Sequence, residues 1–229
     1  MKRFYKQVET AEEAGGYAVT LDGRPIRTPA KAALLLPSPG LAEAVAAEWR
    51  EQGETVQPAD MPIMRLASTA IDRVAGRREE VVNTVAAFGG SDLLCYRAEG
   101  PAELAARQAA AWQPLLDWLA ERHGVALSVT AGIVHVQQSA ESLVALRSIV
   151  AGYDDFALTA LHTATAACGS LVVGLALVDG RLGPDEAFQA GQVDEVYQAE
   201  KWGEDAEAAK ARRILAAEIE AAARFVDLL

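Results

Sequence analysis

Phe156–Val178, FALTALHTATAACGSLVVGLALV, carries no formal charge between Asp155 and Asp179, and how it is read decides the fold. Its length suits a bilayer, which needs about 20 apolar residues. Its content does not. The stretch holds His162, Thr159, Thr163, Thr165, Ser170 and two glycines, and acids flank it where a cytoplasmic anchor carries Lys or Arg. It therefore reads as one helix over 154–179, buried on all sides within a soluble helical domain, with His162 as a hydrogen-bonded core histidine and no membrane insertion.

Composition supports a globular chain. Of 229 residues, 51% are hydrophobic, ample for a packed core. The formal charge of −11 makes nucleic acid a poor partner, since binding to phosphate backbones depends on clustered Lys and Arg. Basic residues never run longer than the pairs Arg77-Arg78 and Arg212-Arg213, so no polybasic anchor is present. Cys95 and Cys168 stand apart without CxxC or Cys/His spacing and read as buried, reduced thiols. The N-terminal MKRFYKQVETAEEAGG lacks the apolar core of a secretory signal and is too rich in Glu for a mitochondrial presequence. A cytoplasmic protein is expected.

Around the apolar stretch the periodicity changes once. The first forty residues read as β structure: RFYKQV alternates, YAVTL is a short strand, and Asp22-Gly23 is a two-residue hairpin signal leading into RPIRTP. AALLL ends at Pro37. Ser38-Pro39 then starts a helix that Gly53 stops, with Leu41, Val45 and Trp49 on one stripe. The proline-bearing ETVQPADMP marks a boundary. Helices are predicted over 63–75, 77–88, 101–123 (bent at Pro114), 140–151, 154–179, 184–202 and 205–227, while Val125–Val136 is rich in β-branched residues and reads as extended. The fold class is α+β: a small β-rich domain with one helix over 1–58, followed by a helical domain over 59–229.

Chemistry is sparse. No phosphate-binding loop of either common type occurs, and Gly89-Gly90-Ser91-Asp92 reads as a helix stop followed by a cap. His123, His135 and His162 stand alone, without HExxH or GxSxG. Adjacent acids such as Asp154-Asp155 and Asp194-Glu195 diverge by about a hundred degrees on a helix, which suits a solvated face better than an acid/base couple. Neither metal nor cofactor is expected.

One motif asks for more. VDEVYQAEKWG (193–203) places Val193, Val196 and Tyr197 toward a core, and Asp194, Gln198 and Lys201 on the opposite side. If the helix continues, Trp202 falls on the polar half, seven residues after Glu195. An indole there either docks on the β part of the same chain or serves a partner. Gly203 stops this helix and Asp205 caps the next, whose stripe is Ile214, Leu215, Ile219, Val226 and Leu229.

Six stretches in order resemble the F1-ATPase assembly chaperones that bind the alpha subunit, known from mitochondria and alphaproteobacteria: LDGRPIRTPA (21–30), AAEW (46–49), QPADMPIMRLASTAIDR (57–73), SDLLCYRA (91–98), AAWQPLLDW (110–118) and EVYQAEKWGE (195–204). The resemblance implies a noncatalytic chaperone that holds new alpha subunit until beta replaces it. It also implies a small strand-rich N-terminal domain before a larger helical one, and a mitochondrial-matrix location for eukaryotic relatives. The family's acidic residue three positions before the Tyr of YQxxxWG falls on Asp194, shorter than the Glu of the mitochondrial pattern, so either Asp194 or Glu195 takes the role. Partner binding is assigned to Asp194, Glu195, Gln198 and Trp202, and structural roles to Trp49 and Tyr197. The rival expectation is an enzyme with Asp194 or Glu195 as general base in a cleft between the two parts.

Overall fold

The computed structural model describes residues 1–229, and the α+β architecture has a small N-terminal sheet followed by a mostly helical region. Strands β1 (Val8–Glu13), β2 (Gly16–Leu21) and β3 (Arg24–Pro25) form an antiparallel sheet in that order. β2 and β3 are joined by the expected Asp22-Gly23 turn, both of whose residues have positive φ (47° and 77°). The carboxylate of Asp22 also accepts the amides of Lys6 and Gln7. The first strand differs from expectation. Pairing runs from Val8 to Glu13, so RFYKQV contributes only its last residue, Val8, to the sheet, and Lys2 just before it forms an isolated bridge to Thr55, because alternation alone does not say where a partner strand lies.

Helix α1 (Pro39–Arg50) begins as its sequence requires: Ser38 Oγ accepts the Leu41 amide at 3.0 Å and Pro39 occupies the first turn. Its buried Leu41 and Val45 cover β1 and β2. α2 (Pro62–Thr69) starts on a side chain from α1, since both oxygens of buried Glu48 accept amides, Ile63 at 2.7 Å and Met64 at 2.8 Å. A π-helical turn (Ala70–Val74) and a 3-10 turn (Ala75–Arg77) follow. The remaining helices are α3 (Arg78–Ala87), α4 (Ala102–His123), α5 (Ala140–Ala151), α6 (Asp155–Cys168), α7 (Leu171–Val178), α8 (Pro184–Gly191), α9 (Val193–Trp202) and α10 (Ala206–Asp227). Only Thr130 and Ala131 of the stretch expected to be extended form a strand, β5, which pairs in parallel with β4 (Tyr96–Arg97).

The chain packs as two compact groups, 1–78 with 154–160 and 224–229, and 79–153 with 161–223. The first therefore runs past the boundary expected at residue 58 and takes in short segments of α6 and α10.

The deciding stretch is two helices, not one. Gly169 turns the chain with φ of 65°, and Ser170 then caps α7 by accepting the Val173 amide at 3.1 Å. All eight residues of α7 are buried. Its first amides are met by Asp92, a fully buried carboxylate that accepts Val172 N (3.1 Å), Ser170 Oγ (2.7 Å) and Leu94 N (3.1 Å). An anion at a helix N-terminus satisfies donors that have no partner within the helix. No helix is long and apolar enough to cross a membrane. His162 lies on the exposed side of α6 rather than in the core, since α6 is buried along one stripe only.

Candidate partner-binding face

The VDEVYQAEKW segment forms α9, separated from α8 by Gln192 (φ −123°, ψ 21°) instead of continuing a single 184–202 helix. Close packing accompanies the break. Gly191, the last residue of α8, sits so close to Cys168 that an added Cβ would stand 3.1 Å from its Cα.

One side of α9 is fixed to α4. Tyr197 is buried, with the Arg107 guanidinium and the Lys201 ammonium each 5.3 Å from its ring centroid. Glu103 bridges Arg107 (2.9 Å) and Lys201 (2.8 Å), and Arg107 reaches on to Glu200 at 2.7 Å. Hydrogen bonding to Lys201 holds the Glu103 carboxyl below the usual glutamate range, and the Lys201 ammonium is raised by the same bond. These groups are solvent-exposed, so they orient α9 more than they stabilise it.

Asp194 departs from the exposed position expected for it. It is half-buried, and its Oδ1 accepts Gln108 Nε2 at 2.7 Å. Gln108 is itself buried: its side-chain oxygen accepts the Ala98 amide (2.7 Å), while its backbone carbonyl accepts Arg97 Nη1 (2.6 Å). Beside it the Trp112 indole donates to Ala190 O at 2.8 Å. Sequence reasoning missed Gln108, Arg107 and Glu103, although Arg107 and Gln108 stand four and five residues after Glu103 on an amphipathic helix.

The other side of α9 faces water. Glu195, Gln198 and Trp202 are exposed, Trp202 by 76%, and at spacings of three and four residues they share one stripe. Trp202 therefore does not dock on its own chain. Gly203 ends the helix with φ of 83°, and Asp205 Oδ1 accepts the Glu207 and Ala208 amides to start α10. In α10, Ile219 and Phe225 are buried, but Ile214, expected on the apolar stripe, is 53% exposed. Trp49 stands apart from this face: it is half-buried in α1, its ring edge-on to Tyr5 at 5.5 Å. No group of three or more His, Cys, Asp or Glu side chains forms a metal site.

The family model described as ATP12 chaperone protein matches residues 2–120. The chain is 29% identical over 214 residues to the mitochondrial protein atp12 of Schizosaccharomyces pombe, covering 88% of this chain and 74% of that protein. Among solved structures, Atp12 from Paracoccus denitrificans superposes with a TM-score of 0.96 at 41% identity, covering 99% of this chain and 97% of the other. A protein from Agrobacterium tumefaciens gives 0.93 at 41% identity, covering 99% and 85%.

Proposed function

The chain belongs to the ATP12 chaperone family, and from that premise we propose that it serves assembly of the F1 sector of ATP synthase by holding the unassembled alpha subunit. In this role it keeps that subunit from aggregating until beta takes its place. A surface destined for a permanent subunit interface is large and apolar, and it aggregates when left open.

The observation that carries the reading is Trp202, an indole standing in water on a helix whose opposite side is fixed by Tyr197, Gln108 and the Glu103 charge network. A rigid, exposed aromatic beside carboxylate and amide groups has the makings of an interface anchor, and a fixed helix loses little freedom on binding. Glu195 and Gln198 on the same stripe add steering and register without an irreversible apolar seal. Between the two acids, the geometry favours Glu195 for direct contact. Asp194 positions α9 through Gln108.

The test is suppression of alpha-subunit aggregation after dilution from denaturant. We expect Trp202→Ala combined with Glu195→Lys to retain its circular dichroism spectrum and to need about tenfold more chaperone for equal protection, because central aromatic anchors are worth about 2 kcal/mol or more. Undiminished protection with an intact spectrum would remove α9 as the contact face.

A further inference from the structure

A cavity of about 930 Å³ opens in the first of the two groups, and it is walled by three of the stretches that the family resemblance picked out: the Arg27–Ala30 loop, Trp49, and the 58–73 segment. The volume is within the range of ligand sites. Its apolar wall is Met1, Trp49, Val56, Pro58, Met61 and Met64. Methionines are flexible and polarisable, so such a wall adapts to side chains of differing shape.

The charged groups of the wall are unusual for this protein. Arg27, Arg65, Arg73 and Arg77 face a single acid, Asp72, in a chain of net charge −11. One carboxylate among four guanidinium groups leaves the lining net positive, and the same carboxylate shapes it: Oδ1 accepts Thr28 Oγ1 at 2.6 Å and Oδ2 accepts the Ala30 amide at 3.0 Å, which holds the loop as one wall. Asp72 and Arg73 lie in the π-helical turn, a feature frequent at functional sites. The Trp49 indole N–H is buried without an acceptor.

We propose that this cavity is a docking groove for an extended segment of another polypeptide, one that carries a large apolar side chain flanked by Asp or Glu. Charge complementarity selects the acidic flanks. From Arg65 to Arg77 the helical path covers on the order of 18 Å, farther than one carboxylate can bridge, so a chain with acids spaced along it fits better than a fatty acid with one head group. The assignment does not depend on the reading of α9.

The experiment measures fluorescence polarisation of short labelled peptides with the full chain: a Leu-Phe centre flanked by glutamates, the same centre flanked by lysines, and the glutamate peptide with serines at the centre. We expect the first to bind and each control to bind about tenfold or more weakly. Arg73→Glu with Arg77→Glu, both at exposed positions, should weaken the first peptide about tenfold while leaving the circular dichroism spectrum unchanged. Equal binding of all three peptides, wild-type affinity in the double variant, or binding of oleate without binding of the acidic peptide would each overturn the proposal. None of these outcomes bears on the α9 test, which changes residues 195 and 202 and reads client aggregation.

Discussion

Asp92 and Glu48 show what single buried side chains do here. Each carboxylate replaces hydrogen-bond partners that a helix cannot supply for itself: Asp92 at the start of α7 and Glu48 at the start of α2. Removing Asp92 leaves buried donors unpaired, so Asp92→Ala should lose about 3–5 kcal/mol, read by urea unfolding. Burial raises the Glu48 carboxyl above the ordinary glutamate range despite its two amide donors. The folded state thus holds this proton more tightly than the unfolded chain does, and its contribution is fully present below the ordinary value and lost as pH rises through the raised one. The melting temperature of wild type minus that of Glu48→Gln should accordingly fall across that window; a flat difference would contradict it. The thiols Cys95 and Cys168 are pushed up to about 12 by burial, with the Asp92 charge adding to it. Neither should react with a thiol reagent at neutral pH until the chain is unfolded.

Between elements, small residues set the crossings. At Gly174 in α7, a Cβ would stand 2.4 Å from Thr165 Oγ1 and 3.1 Å from its amide nitrogen in α6. Gly174→Ala should cost about 1–3 kcal/mol by overpacking, seen as a lower melting temperature with little change in helicity. The break between α6 and α7 had a local signal, a glycine followed by a serine cap, which is a common way to end one helix and begin another. The uniform hydrophobicity of 156–178 masked it. The split at Gln192 also follows a glycine, Gly191, whose missing side chain allows a close approach to Cys168, far away in sequence. The sheet shows the same limit. The Asp22-Gly23 turn was legible because φ > 0 selects its residues, while the β1 register depended on a partner strand.

For the molecule as a whole, the proposed function places the client contact on α9, and two changes separate contact from positioning. Gln108→Leu removes the donor to Asp194 and the acceptor for Ala98. It should destabilise the fold by about 2–3 kcal/mol and loosen α9, whereas Trp202→Ala with Glu195→Lys should spare stability and reduce protection of the alpha subunit. A Gln108→Leu variant with an unchanged unfolding midpoint would show that the Gln108 network does not hold the helix. Part of the candidate face was readable beforehand, since the helix, its Gly203 stop and the polar placement of Trp202 all follow from spacing. Which acid is free was not, because a side chain's partner on another helix is invisible to periodicity.

Local chemistry in the sequence determined the α+β class, the position of most helices, the hairpin turn and the caps at Ser38 and Asp205, because those depend on neighbours within a few residues. The ordered motifs further determined the family. Tertiary structure alone decided that the apolar stretch is two helices fed by a buried carboxylate, that Asp194 is held by Gln108 while Glu195 and Trp202 stay in water, and that three separate stretches wall one arginine-rimmed cavity. Each of these rests on contacts between residues distant along the chain, where packing and desolvation prevail over local preference.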